Sequence, residues 1–216
     1  MPRRALVEHR PWLLAAVFAA VAYYVLQDSI KVEPIEIAIK GAGVGFLAIY
    51  ALRRAPGADG MILTIALALS ALGDMALELW FEAGGALFAA SHLAAIVLYM
   101  RNRREQAAFS QGLLGFALII AVPAFSYVLS GDALIGIYAT TLGAMAAAAW
   151  TSSFPRYRVG VGALLFVVSD WLIFSRMGPF DLSPVPDLAV WPLYFAGQLM
   201  IATGVVQTLR GEVPAK

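Results

Sequence analysis

Eight apolar stretches of 17 to 22 residues follow one another along this chain, with short polar joints between them. A helix needs about 20 apolar residues to cross a bilayer core. No water is present there to satisfy an open backbone, so the crossing segments have to be helices that close their own hydrogen bonds. The sequence therefore predicts an all-α polytopic membrane protein with eight transmembrane helices. They run over Pro11–Gln27, Pro34–Leu52, Gly60–Phe81, Gly84–Met100, Ala108–Leu129, Ala133–Thr151, Tyr157–Ser175 and Val190–Leu209. Residues that stop helices mark the joints: Pro34, Pro56-Gly57, Gly84-Gly85, Gly131-Asp132, Pro155, and the group Pro179, Pro184 and Pro186.

Composition agrees with this reading. Residues 1–216 are 61% hydrophobic and 13% charged, against about 25% charged in soluble domains. The polar stretches are too short for a separate soluble domain, so residues 1–216 are read as a single integral membrane domain. The first apolar run leads into further spans and shows no small-residue cleavage site, which reads as a span rather than a signal peptide. Cysteine is absent, which removes disulfides, thiolate catalysis and Cys-ligated metals. With only His9 and His92, a three-histidine zinc site is impossible. Net charge of +1 offers no footprint for nucleic acid. There is no Gly-rich phosphate loop, no metal motif and no Ser-His-Asp order, so neither a cofactor nor a metal is expected.

An even number of spans puts both termini on one side. That side holds Arg3, Arg4, Arg10, Arg53, Arg54, Arg101, Arg103, Arg104, Arg156, Arg158, Arg210 and Lys216, against Lys31 and Arg176 on the other. By the positive-inside rule both termini face the cytoplasm. The opposite side is acidic, with Asp28, Glu33, Glu82, Asp132, Asp181 and Asp187. Trp12, Trp80, Trp150, Trp171 and Trp191 lie mostly near span ends, as an aromatic belt requires.

Against this apolar background, Asp74 in span three and Asp170 in span seven stand out. Ionisable groups in a span face the bundle interior and mark function. Counted along the spans, Asp74, Asp170, Lys40, His92 and Gln198 fall about 8–13 Å below the outer boundary. They predict one polar layer around a cavity open to the outer leaflet. Glu78 shares the face of Asp74 one turn further out, where it either lines the mouth of that cavity or is solvated at the interface. Gly41 and Gly45 are spaced for close helix packing. The text around Asp74 (LSALGDMALELWF) and Asp170 (LLFVVSDWLIF) is similar, as are LFAASH and YFAGQL in spans four and eight. A 4+4 parallel repeat would explain both pairs.

These segments resemble the YhhN-type lysoplasmalogenase family. The likeness rests on Ala71-Leu72-Gly73-Asp74, on Leu87-Phe88 through Ser91-His92-Leu93, on Gly162 through Ser169-Asp170, on Tyr194 to Gln198, and on Lys40. Where that family often has an aromatic residue after the His-Leu pair, this chain has Ala94 and Ala95. The resemblance implies hydrolysis of the vinyl ether bond of a lysophospholipid, giving a fatty aldehyde and glycerophosphoethanolamine or glycerophosphocholine. Such a reaction needs an acid, a negative charge beside an oxocarbenium-like cation, and a base for water, which two carboxylates can supply. Asp74 and Asp170 are the expected catalytic pair. Lys40 is either a charge partner for one of them or a contact for the lipid phosphate. His92 is either an interhelical hydrogen bond or a proton relay. Ser169 bonds within the site or to span eight, and Gln198 and Tyr194 orient substrate or brace helices. The expected partners are the lysophospholipid substrate and membrane lipids, and in a bacterium the setting is the inner membrane. The rival class is a lipid-binding protein or a proton-coupled transporter, which would need access from both sides.

The orientation has a direct test. A thiol introduced by Asp132→Cys should react with an impermeant maleimide on intact cells, and one introduced by Arg103→Cys should not. The opposite labelling pattern would invert the topology.

Overall fold

The computed structural model describes residues 10–27, 29, 33–180 and 182–212, with backbone alone for Arg10 and Glu33. Arg3, Arg4, Asp28, Lys31, Asp181 and Lys216 lie outside the described residues. Helices α1 to α8 span Arg10–Leu26, Glu33–Arg54, Gly57–Leu77, Phe81–Arg101, Phe109–Ser130, Ala133–Thr151, Val161–Ser175 and Val185–Leu209. A π-helical turn, Arg156–Gly160, leads into α7. Among the described residues the one β-type pairing is an isolated bridge between Arg103 and Ser152. Seven of these helical segments are long and apolar enough to cross a membrane, and α1 is a shorter apolar helix. Each expected span corresponds to one observed helix.

Three boundaries differ from expectation, each for a local reason. Gly84-Gly85 is not a joint, because α4 begins at Phe81 and runs through it. A Cβ on Gly84 would sit 2.6 Å from the Leu77 side chain and 2.8 Å from its nitrogen. Gly84 therefore serves close helix approach, not chain reversal. Helix α3 ends at Leu77, so the connection to α4 is only Glu78, Leu79 and Trp80. Helix α8 begins at Val185 and carries Pro192 inside it, while α5 carries Pro123. Proline within a membrane helix is tolerated where neighbours take up the freed backbone groups.

The chain divides into two compact units, Met1–Ala95 with Ala202–Ala215, and Ile96–Ile201 with Lys216. A division between Ala95 and Ile96 leaves α1 to α3 and most of α4 in the first unit, and α5 to α7 and most of α8 in the second.

In the first unit α1 packs on α2 and α2 on α3. Leu63, Ala66, Leu67, Ser70, Ala71 and Asp74 are all buried on α3. Their spacing of three and four is that of a single helical stripe. Asp74 thus prolongs an apolar face that the fold must bury. Gly41 approaches Met75 and Ala71 so closely that a Cβ would lie 2.4 Å from Met75 Cγ, as the small-residue spacing predicted.

In the second unit α5 packs on α6, and both contact α7. Ala163, Phe166, Val167, Asp170 and Phe174 form the buried stripe of α7. Leu129, Ile135 and Phe174 make a core, with Tyr138, Trp171 and Ile173 against it. Trp191 is only 7% exposed and stacks on Phe195, so it is a core residue rather than part of an aromatic belt. Trp80, at 69% exposure, does fit the belt. Helices α7 and α8 touch backbone to backbone. A Cβ on Gly197 would lie 2.6 Å from the Gly162 carbonyl oxygen, and one on Gly162 would lie 2.7 Å from that of Gly197. Large apolar side chains such as Phe18, Phe116 and Leu134 remain exposed, as expected of a lipid-facing surface.

Gly197→Val should destabilise the protein by about 2 kcal/mol, because the clash is with backbone that cannot move aside. Gly85→Ala, with nothing within 4 Å of the new Cβ, should be neutral or stabilising by up to ~1 kcal/mol. Thermal or denaturant unfolding in detergent would measure both.

Candidate functional site

The first unit holds a column of polar groups that begins where α3 ends. The Lys40 ammonium on α2 donates to and pairs with Glu78, the residue that caps α3. The two side chains are 13% and 29% exposed, so the ammonium is largely buried while Glu78 remains open to solvent. From α1, the Tyr23 hydroxyl donates to Glu78 over 3.4 Å, and the Lys40 ammonium sits 5.5 Å from the Tyr23 ring centroid. Three helices therefore meet on one ion pair. Asp74 lies one turn below Glu78 on α3, is 2% exposed, and is within electrostatic reach of Lys40. A turn further along, Ser70 and Ser91 share a 2.8 Å hydrogen bond, and Ser91 also donates to the Ala66 carbonyl over 2.8 Å. His92, next to Ser91 on α4, is 1% exposed.

Asp170 anchors the second unit. It is 6% exposed, and its Oδ2 accepts a 2.8 Å hydrogen bond from the Tyr138 hydroxyl on α6. Tyr138 is itself held edge-on to Phe174 at 5.9 Å. Among the described residues no cation pairs with Asp170. Ser169 turns the other way and donates to the Val190 carbonyl on α8 over 2.9 Å. Tyr194 packs edge-on to Phe166 at 5.1 Å and lies 5.7 Å from Trp191. Gln198 is 4% exposed, and its neighbour Gly197 meets Gly162, eight residues or about 12 Å along α7 from Asp170.

These positions correct the single polar layer. Depth counted from span ends assumes that the helices start level, and they do not. Gly41 seats against Ala71 and Met75, so Lys40 lies near the level of Asp74 and its side chain reaches outward to Glu78. Gly73 packs on Phe88 and Ser70 meets Ser91, so His92 lies more than a turn deeper than Asp74. Gln198 lies about two turns deeper than the level of Asp170. Within the first unit His92 lies apart from Asp74, and within the second Gln198 lies apart from Asp170. Glu78 stays exposed at the end of α3, and from there its carboxylate holds Lys40. Lys40 is paired with Glu78, not with either aspartate as expected. Ser169 takes its span-eight alternative.

Two contributors, Tyr23 and Tyr138, were not anticipated from the sequence. Tyrosines within spans read as part of the apolar face. The available signal was spacing: Tyr138 falls on the buried stripe of α6 with Ile135, Leu142 and Met145. Among the described residues no group of three or more His, Asp or Glu could hold a metal ion.

Apolar helices whose buried stripes carry carboxylates define an all-helical, polytopic integral membrane protein. The chain belongs to the YhhN family, whose model matches residues 35–205 and so takes in α2 to α7 and most of α8. No curated protein and no solved structure matches it.

The Lys40–Glu78 pair can be tested by a double-mutant cycle. Glu78→Gln alone should cost about 1–2 kcal/mol, because it strands a largely buried ammonium. Lys40→Met combined with Glu78→Gln should cost less than the sum of the single changes, by about 1 kcal/mol. Additive effects would show that the pair contributes nothing to folding.

Proposed function

We propose that this protein is a membrane-embedded hydrolase of lysoplasmalogens, with Asp74 and Asp170 as its catalytic carboxylates. The observation that carries the reading is the burial of one aspartate on the packed stripe of α3 and another on that of α7, in a chain of the YhhN family. A carboxylate on a buried apolar stripe costs stability, and sites of chemistry are where such costs are retained.

The reaction begins with a proton delivered to the vinyl carbon, which leaves an oxocarbenium-like cation on the carbon bound to the ether oxygen. Water adds there and gives up a proton. The resulting hemiacetal breaks its bond to the glycerol oxygen, releasing a fatty aldehyde and glycerophosphoethanolamine or glycerophosphocholine. One carboxyl group has to bring the proton, and one carboxylate has to face the cation. The different surroundings of the two aspartates support a division of labour. Asp74, with a lysine in electrostatic reach, is assigned the stabilising negative charge. Asp170, held by a neutral phenol, is assigned the proton. Tyr138 would act as a positioning residue by fixing the Oδ2 of Asp170 so that the other oxygen can turn to substrate. Lys40 holds Glu78, and His92 and Ser91 line the deeper end of the polar column.

That column also gives the transporter reading its best support, since polar groups on successive turns are what a proton path uses. The two readings separate on whether product forms without a gradient.

The decisive experiment is aldehyde release from a defined lysoplasmalogen by the purified protein in detergent. Asp74→Asn and Asp170→Asn should each lower turnover by about 10²-fold or more while leaving the melting temperature within a few degrees. Tyr138→Phe should lower it less, by about tenfold, and displace the acidic or basic limb of the pH–rate profile. A wild type that releases no aldehyde yet carries protons across liposomes would replace the hydrolase with the transporter. Turnover that survives both Asn variants would make the aspartates structural.

A further inference from the structure

A cationic site lies at the arginine-rich end of the second unit, away from Asp170. Two loops are knitted together there. Arg103 bridges to Ser152, the Ser153 N–H donates to the Asn102 carbonyl over 2.8 Å, and the Arg104 N–H donates to the Thr151 carbonyl over 3.3 Å. Phe154, 1% exposed, is packed edge-on to Tyr99 at 6.1 Å and pins the second loop to the end of α4. Pro155 follows, and the π-helical turn starts at Arg156. This framework fixes the backbones that carry Arg104 and Arg156.

The two guanidinium groups are close enough for each charge to act on the other. Arg104 donates through Nη2 to the Ser152 carbonyl over 3.2 Å, and Arg156 lies 5.8 Å from the Tyr157 ring centroid. In both residues the Nε–H is buried and has no hydrogen-bond acceptor. Among the described residues neither arginine is paired with a carboxylate. Like charges held side by side repel, and a buried donor without an acceptor costs about 1–3 kcal/mol. A rigid framework that retains both features in two adjacent residues is accounted for by an anion that completes it. Guanidinium forks match the oxygens of phosphate, which can accept from two arginines at once. The setting at the ends of apolar helices is the level at which lipid phosphates lie.

We infer that Arg104 and Arg156 form a phosphate-binding site, separate from the proposed catalytic carboxylates, that takes the headgroup phosphate of an anionic phospholipid or a soluble phosphate.

The test uses the full chain in a neutral detergent, with melting temperature and native mass spectrometry as readouts. The probes are dioctanoyl phosphatidylglycerol, inorganic phosphate, and dioctanoylglycerol as the phosphate-free control. At roughly hundredfold excess over Kd, phosphatidylglycerol should raise the melting temperature by about 5 °C and stay bound in the gas phase. Dioctanoylglycerol should do neither. A response to phosphatidylglycerol alone identifies a lipid headgroup as the source. A response to inorganic phosphate as well identifies a site open to soluble phosphate. Arg104→Gln and Arg156→Gln should each weaken the response about tenfold or more in Kd. Arg176→Gln, which removes a cation already paired with Asp187, should leave it unchanged. The wild type decides the matter even if a variant does not fold. Indifference to both phosphate probes, or an equal response to dioctanoylglycerol, overturns the inference. So does an undiminished response in folded Arg104→Gln and Arg156→Gln.

Discussion

Burying a charge in a medium of low dielectric costs several kcal/mol unless a partner or hydrogen bonds come with it. Each unit meets that constraint differently. In the first, an ammonium, a carboxylate and a phenol from three successive helices converge, and Asp74 lies one turn away. In the second, Asp170 relies, among the described residues, on one phenolic hydroxyl, and the rest of the α7 stripe around it is apolar. Much of the packing can be seen as the means of delivering these partners. Gly41 lets α2 come close enough to α3 for Lys40 to reach Glu78. The glycine contact between α7 and α8 sets the level at which Ser169 finds the Val190 carbonyl.

The number, type and order of the helices were legible because the bilayer imposes a length and an internal hydrogen-bonding rule on every segment. The stripe positions of Asp74 and Asp170 were equally legible, since three-and-four spacing puts a residue on the same face as its apolar neighbours. Helix register was not. Lys40 can reach Glu78 because Gly41 seats against Met75, and nothing in either segment alone announces that contact. The expectation of one polar layer failed at this point: it measured depth from helix ends, while close contacts set the levels. The tyrosines escaped for a related reason. A tyrosine has an apolar body and a polar tip, and only the neighbouring helix decides which of the two is used. Gly84-Gly85 shows the same ambiguity at a boundary, because glycine serves both turns and close approach, and Leu77 decided between them.

The two aspartates occupy similar text but unlike environments, and that contrast bears on chemistry. Unlike surroundings bias which carboxyl group keeps a proton and which stays ionised. Vinyl ether cleavage asks for that difference, because the proton must arrive as positive charge develops on the neighbouring carbon. Lys40 supplies an asymmetry from one turn away, since the carboxylate it holds directly is that of Glu78. A positive charge can then bias Asp74 through space. The phenol on Asp170 acts in the complementary way, fixing one oxygen in place without adding charge. An aspartate that served only to brace helices would gain most from a direct cation or from several donors. Among the described residues the contact at Asp170 is a single neutral one, which is compatible with the acid role proposed for it.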